Sequence, residues 1–303
     1  MDGQDNSLII IAGPTGIGKS AIAHALAKHL QCDIFSADSR QVYKEMRIGT
    51  AVPPIEYLHE VHYHFIQNVS IHQQYDVGTF VEECREALQL YFQSHQHAIL
   101  VGGTGLYIQA LTQGIDTFPE VEEEIKLKIN TLYQKDGLAF LQEFVQTHDE
   151  EYYSLVDKNN PRRLMRAAEV ILSSGKPYSS FRLQNNQPLP YNVLNILLEM
   201  DRSELYHRIN HRVDDMLENG LVDEAKSLYQ WRQLKALDTV GYKELFDHFD
   251  GLLTLQEAVD LIKQNTRRYA KRQLTWFNKF GDWKRLPPEY AEVKNYIKVK
   301  LMT

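Results

Sequence analysis

Residues 8–20 read Leu8-Ile9-Ile10-Ile11-Ala12-Gly13-Pro14-Thr15-Gly16-Ile17-Gly18-Lys19-Ser20, a short apolar run followed by G-x-x-x-x-G-K-S. The run is brief and rich in β-branched side chains, as a buried parallel strand should be. Gly13, Gly16 and Gly18 permit the tight turns that aim several backbone N–H groups at one anion, with Pro14, Thr15 and Ile17 completing the loop. Lys19 adds a mobile positive charge and Ser20 offers a hydroxyl to a magnesium ion. A helix over residues 21–30 would turn the positive end of its dipole toward the phosphates. Strand before and helix after are the context a phosphate loop requires. The stretch therefore predicts binding of a phosphate or diphosphate; the alternative is a glycine turn with only a structural use.

The rest of the composition narrows the partners. At 303 residues the chain is long enough for one large domain, or one domain with an insertion. Its net charge of −7 gives no global signature of nucleic-acid binding, so any such claim has to rest on a local basic patch. Residues 1–5 are polar and acidic, unlike a targeting peptide, and no apolar stretch approaches the roughly 20 residues of a membrane span. Two cysteines are too few for a disulfide framework and lack zinc-ligand spacing. These features predict a protein of the reducing cytoplasm with no membrane partner; a monomer is the working expectation.

Three further stretches read as strands: 33–37 (DIFSA), 97–101 (HAILV) and 193–200 (VLNILLEM). Between them lie helical patterns. Over Val77–Tyr91 the residues Val77, Phe80, Val81, Cys84, Leu88 and Tyr91 recur every three or four positions, as core-facing positions do. Strands alternating with helices predict the α/β class, a P-loop NTPase-like, mostly parallel sheet flanked by helices. Residues 116–190 differ: a charged helical stretch over 120–132, a helix beginning after Asn159-Asn160-Pro161 and stopping at Gly175, then a loop at 184–188. No buried strand is visible there. An all-helical insertion domain at 116–190 is expected, within a core of 1–115 and 191–303 whose chain after residue 200 is mainly helical to about 280. In such a sheet the polar residues following each strand gather at one edge, which places Asp38, Thr104 and Asp201 as candidates for one cleft.

Asp38 opens Asp38-Ser39-Arg40-Gln41-Val42-Tyr43 and reads either as a helix N-cap or as a base or metal ligand beside the phosphate loop. Gly102-Gly103-Thr104 follows a strand where many P-loop ATPases carry an acidic metal ligand, so it is either a plain turn or a site offering a hydroxyl. Arg208 and Arg212 share one helix face, as do Arg162 and Arg166 with Arg163 between them; solvated surface arginines are the alternative. Lys263, Arg267, Arg268, Lys271 and Arg272 form a basic helix face without an intervening acid, followed by Trp276-Phe277, which suits a phosphate backbone. His62 and His64 alternate as on a strand or loop, with no carboxylate or cysteine at ligand spacing nearby in sequence, so no structural zinc site is expected.

Taken in order, these segments resemble the bacterial tRNA dimethylallyltransferases, also called tRNA isopentenyltransferases. The resemblance rests on GPTGIGKS (13–20), DSRQVYKEMRIGTA (38–51), LVGGTGLYIQAL (100–111), NPRRLMRAAE (160–169), VGYKE (240–244) and TRRYAKRQLTWF (266–277). It implies magnesium-assisted transfer of a prenyl group from dimethylallyl diphosphate to N6 of the adenosine 3′ of a tRNA anticodon. The phosphate loop, with Arg208 and Arg212, would then hold a diphosphate leaving group. Asp38 would take the proton of the adenine amino group, Lys19 and Arg212 would stabilise the departing charge, and Thr104 would position a substrate. The resemblance sets Asp38, Ser39, Arg40, Gln41 and Thr104 against the anticodon stem-loop, together with Lys126, Arg162, Arg163, Leu164, Met165 and Arg166. It adds Asp238, Thr239, Val240, Gly241, Tyr242 and Lys243, beside the basic face of Arg267, Arg268, Lys271 and Arg272.

The chain departs from the family pattern at Val52, where lysine is common, at Asp238, where a basic residue is frequent, and mildly at Lys243 and Ser20. A small-molecule or nucleoside kinase stays open, with Arg162, Arg163 and Arg166 as lid and Asp201 as metal ligand. So do prenylation of free AMP or ADP and a non-enzymatic nucleotide-binding module.

Overall fold

The computed structural model describes residues 6–116, 118–182 and 188–302. The chain divides into two compact units, one made of Met1–Thr112 with Leu189–Thr303 and the other of Gln113–Pro188. In chain order the first part of the larger unit runs β1 (Ser7–Ala12), α1 (Lys19–Leu30), β2 (Ile34–Ser36), α2 (Ile55–Glu60), β3 (Tyr63–His64), α3 (Val77–Tyr91), β4 (His97–Gly102) and α4 (Gly105–Gln113). The smaller unit contributes α5 (Glu123–His148), α6 (Glu150–Leu155) and α7 (Pro161–Ser174). The larger unit then resumes with β5 (Asn192–Leu198), α8 (Arg202–Glu218), α9 (Leu221–Leu228), α10 (Tyr242–Phe249), α11 (Leu255–Lys279), β6 (Lys284–Leu286) and α12 (Tyr290–Leu301).

The six strands form one sheet in the order β3-β2-β4-β1-β5-β6, every pairing parallel. The apolar run that opened the reading is its centre: β1 pairs with β4 on one side and β5 on the other, and Leu8, Ile9, Ile10 and Ile11 are fully buried. Each such side chain contributes about 1.5–3 kcal/mol by leaving water. Because all strands run the same way, the loops after β1, β2 and β4 emerge at one edge, where open parallel sheets bind ligands. The sheet is the P-loop NTPase-like α/β arrangement expected. Two strands escaped the sequence reading, β3 and β6. They are edge strands of two and three residues with partly or largely exposed side chains, so neither carries an apolar run. The helix α12 beyond residue 280 was likewise not anticipated.

Helix α3 is as read, with Phe80, Val81, Cys84, Leu88 and Tyr91 buried and Asp76 accepting from the Thr79 N–H at its start. In the smaller unit the helix expected over 120–132 starts at Glu123 and continues to His148, broken by non-helical backbone at Gly137. Its core joins Ile129, Leu141, Val145, Tyr152, Leu164 and Ala167. Helix α7 begins with Asn160 accepting from the Arg163 N–H and ends at left-handed Gly175, as expected. Residues 184–187 of the expected loop lie outside the described residues. Among the described residues no helix is long and apolar enough to cross a membrane.

Candidate active site

The loop 13–18 turns back over the end of β1 into α1, whose first residue is Lys19. Gly16 has φ +83°, and a Cβ there would lie 2.8 Å from Ile209 Cγ1 of α8, so the loop and that helix pack as closely as only glycine permits. Lys19 Nζ donates to the Pro14 carbonyl at 2.8 Å, which folds the ammonium back over the loop. Surrounding protein pushes the Lys19 pKa down to about 7; Asp38 pulls it back and Arg212 lowers it further. An arriving diphosphate would favour the charged form of Lys19 against this burial.

Asp38 follows β2 but starts no helix. Residues 39–45 form turns, and the Asp38 Oδ1 accepts from the N–H groups of Arg40 (2.9 Å) and Gln41 (3.3 Å). The other carboxylate oxygen accepts no hydrogen bond among the described residues. Thr104, after β4, sits beside it: its hydroxyl accepts from the Ser39 N–H at 3.1 Å and its own N–H donates to the Ala37 carbonyl at 3.3 Å. The close approach depends on Gly102, where a Cβ would stand 2.2 Å from that same carbonyl oxygen. Asp38 and Thr104 are therefore brought together as expected.

Asp201 is not brought with them. Its carboxylate caps α8, accepting from the N–H groups of Ser203 (2.7 Å) and Glu204 (3.3 Å) and from the Ser203 hydroxyl. It is exposed and lines no part of the cleft, so its expected place there is corrected: strand-following position alone did not distinguish a capping aspartate from a functional one.

Gln273 is a residue that the sequence did not single out. It is 6% exposed and reaches from α11 to both loops, donating to the Gly103 carbonyl and accepting from the Thr15 N–H, each at 2.9 Å. The signal was present: Ile262, Ala270, Gln273 and Phe277 follow the buried face of α11, and a glutamine on such a face needs partners.

Two adjoining cavities result. The wider, about 300 Å³, is lined by Thr15, Asp38, Thr239, Arg212, Tyr269 and Arg272 among others; the narrower, about 70 Å³, by Lys19, Ser20, Asp38, Gly102, Arg212 and Gln273 among others. Arg212 donates to the Thr15 hydroxyl at 3.2 Å, and burial lowers its pKa against the pull of Asp38. Arg208 pairs with Glu204 at 2.8 Å, and its guanidinium stands beside the phosphate loop, 3.9 Å from where a Cβ on Gly18 would be. Burial holds Tyr269 up at about 12, so its hydroxyl stays protonated beside Asp38 and Thr104. Ser20 and Asp38 both line the narrow cavity, and the Ser20 hydroxyl is the kind of oxygen donor that suits a magnesium ion completed by phosphate oxygens.

Other expected contacts divide. Asp238, Thr239, Val240 and Gly241 line the wide cavity. Arg40 spends its guanidinium on the carbonyls of Ala236 (2.9 Å) and Asp238 (3.3 Å), and Gln41 donates to those of Thr50 and Ala51. Lys243 pairs with Asp238 at 2.8 Å. Tyr242 does not face a ligand; it is fully buried and donates to Glu224 at 2.7 Å. That carboxylate, also missed, accepts from the N–H groups of Arg47, Ile48 and Gly49 and so fixes the turn before Val52. In α11 the basic face splits. Lys263 pairs with Asp214 and Arg267 donates to Asn210 at 2.6 Å, both on α8, whereas Arg268 and Lys271 are exposed and Arg272 reaches the cavity. Trp276 packs against Gly105 and Phe277 is buried, so neither aromatic is a free stacking surface.

In the smaller unit Arg162, Arg163 and Arg166 are exposed at the start of α7, Arg166 lying over the Phe118 ring, and Lys126 pairs with Glu123. Met165 packs on the unit's core, and Leu164 is fully buried in it, so a side-chain contact from Leu164 to an outside partner is ruled out. Finally, a carboxylate distant in sequence does approach the His62–His64 pair: Asp33 Oδ2 lies 2.8 Å from His64 Nε2.

Residues 41–280 match the family model described as IPP transferase. A tRNA dimethylallyltransferase of Christiangramia forsetii is 46% identical over 302 residues, 99% of this chain and 100% of that protein. One of Flavobacterium johnsoniae is 45% identical, covering 96% of each. Among solved structures, the full-length tRNA isopentenylpyrophosphate transferase of Bacillus halodurans aligns with a TM-score of 0.73 at 34% identity, over 98% of this chain and 97% of that one. A eukaryotic dimethylallyltransferase captured acting on tRNA aligns with a TM-score of 0.80 at 27% identity, over 93% and 74%.

Proposed function

The chain belongs to the IPP transferase family, and on that premise we propose that it transfers the dimethylallyl group of dimethylallyl diphosphate to N6 of the adenosine 3′-adjacent to a tRNA anticodon. The observation that carries the reading is Asp38, shared by a narrow cavity at the phosphate loop and a wider one with room for a base.

An adenine amino group is a poor nucleophile because its lone pair is delocalised into the ring. Asp38, held by two backbone N–H groups with one oxygen open, accepts the N6 proton as the N–C bond forms and the allylic C–O bond breaks. Negative charge then grows on the departing diphosphate, where Lys19, Arg212 and the start of α1 receive it. A magnesium ion held by the Ser20 hydroxyl with the phosphate oxygens would add charge neutralisation there. Thr104 and Tyr269 position the base, which has to leave its stack to enter the wide cavity. The exposed arginines of α7, with Arg268, Lys271 and Arg272 of α11, serve the anticodon stem-loop phosphates.

Incubation with magnesium, dimethylallyl diphosphate and unmodified tRNA, followed by nucleoside mass spectrometry, tests the reading. A five-carbon adduct on adenosine without ATP is expected; a phosphorylated small molecule made from ATP, with no adduct, would replace it with a kinase. The capping role of Asp201 already removes the metal ligand that a kinase reading required.

A further inference from the structure

Asp33, His62 and His64 meet at the opposite end of β2 from the cleft. Asp33 immediately precedes β2, His64 ends β3, and His62 lies two residues before it, on the same side of an extended chain. One ligand atom from each of the three can be chosen so that all lie within 4.8 Å of one another. We propose that these three side chains form a binding site for a divalent transition-metal ion of the zinc type.

The placement is built rather than accidental. His64 stacks on Phe35 at 4.1 Å between ring centroids and bonds Asp33 at 2.8 Å, so its ring orientation is fixed from two sides. Phe35 and His64 are register partners in the β2–β3 pairing, and the Ile34 N–H donates to the His62 carbonyl at 3.0 Å, which sets the backbone of the third ligand. His64 and Asp33 alone could be a structural pair. His62 is what goes beyond that: its imidazole is exposed, stands edge-on to His64 at 4.4 Å, and makes no hydrogen bond among the described residues. An exposed, unbonded imidazole beside a fixed imidazole and carboxylate contributes little to folding but completes a ligand set.

Two nitrogens and one carboxylate oxygen suit zinc or cobalt(II), with water in the remaining position, and do not suit magnesium, which takes oxygen. The site is also separate from the cleft. Asp33 precedes β2 and Asp38 follows it, five residues on, a span of up to roughly 16 Å in extended chain. An ion here would tie the start of β2 to β3, a strand of two residues at the sheet edge. Binding to the folded state alone raises its stability by mass action.

The test uses the full-length protein with Zn2+ or Co2+ as the sole added metal at pH 7.5, where unperturbed imidazoles are mostly neutral. Calorimetry should find one Zn2+ per chain, Co2+ should give visible bands stronger than those of the aqua ion, and Zn2+ should raise the melting temperature. His62→Ala removes only an exposed side chain and should weaken Zn2+ binding tenfold or more, abolish the Co2+ bands and cancel the thermal shift. It should leave magnesium-supported prenyl transfer unchanged. Asp33→Asn keeps the shape and a hydrogen-bond acceptor and should also weaken binding. Wild-type protein that takes up no Zn2+, or takes it up no better than His62→Ala, overturns the proposal; should Asp33→Asn fail to fold, the His62→Ala comparison decides alone.

Discussion

The narrow end of the cleft is made largely from backbone, and its mouth from side chains. At the narrow end the loop 13–18, the start of α1 and the turn after β4 are drawn together by peptide groups: Thr104 N–H on the Ala37 carbonyl, Lys19 on the Pro14 carbonyl, and the Gln273 amide joining Thr15 to Gly103. At the mouth, Arg272 comes from α11 and Thr239 from the segment that Arg40 holds by its carbonyls, while Arg212 of α8 and Tyr269 of α11 line both ends. Backbone groups fixed by short loops change little when a ligand arrives, whereas long side chains on separate helices can re-aim. A diphosphate has one shape and is met by a set geometry; an anticodon loop is large and deformable and is met by an adjustable one.

Asp38 lines both cavities, so it gives the sharpest test of the boundary. Asp38→Asn keeps an oxygen to accept from Arg40 and Gln41 and removes only the base. The chemical step should slow on the order of 10²–10⁴-fold while tRNA affinity stays close to native. Single-turnover rates with a separate binding titration make the measurement, and near-native turnover would move the base elsewhere.

Next in size is the amide latch. Gln273→Leu leaves the Thr15 N–H and the Gly103 carbonyl without their partner, and each buried orphan costs about 1–3 kcal/mol. The loop should relax to recover those bonds, lowering kcat/KM for dimethylallyl diphosphate roughly 10–100-fold, since small misplacements are felt strongly in rate. Binding of tRNA should change less than about twofold. Gln273→Glu can still accept from Thr15 but cannot donate to Gly103, so it should fall between. If both variants lose tRNA affinity instead, the latch belongs to the mouth and the division drawn above fails.

The same division explains what could be read without coordinates. The phosphate loop is local: eight consecutive residues fix their own backbone, so G-x-x-x-x-G-K-S after an apolar run specified position, partners and sheet edge together. Strand-following position offered Asp38 and Thr104 along with Asp201, and the resemblance gave the first two their roles; their juxtaposition needs two strands in register and is not a local property. Helix α11 is the opposite case. Its spacing showed which basic residues share a face, but not that α8 packs against part of that face and takes up Lys263 and Arg267. Tyr242 and Leu164 failed for a related reason, since a family motif marks a residue as needed without saying whether it touches a ligand or holds the fold. Asp33 beside His64 was invisible because the partner lies 31 residues away, across a parallel strand pair.

The smallest effects should come from α11 itself, and they should differ in kind along one helix. Arg268 is exposed and Arg272 reaches the wide cavity, so replacing both by alanine should weaken tRNA binding. Each lost phosphate contact should flatten the log–log salt dependence by about 0.7–0.9. Arg267 is next to Arg268 in sequence but donates to Asn210 of α8 at 2.6 Å. Arg267→Ala should therefore leave the salt slope alone and lower the stability of the fold by roughly 1 kcal/mol, the usual worth of a partly exposed hydrogen bond to a charged donor. Denaturant melts and salt-dependent tRNA titrations on the two variants separate these outcomes. A flattened slope for Arg267→Ala would mean that tRNA pulls this arginine off Asn210, and that the adjustable mouth extends further along α11 than its packing against α8 indicates.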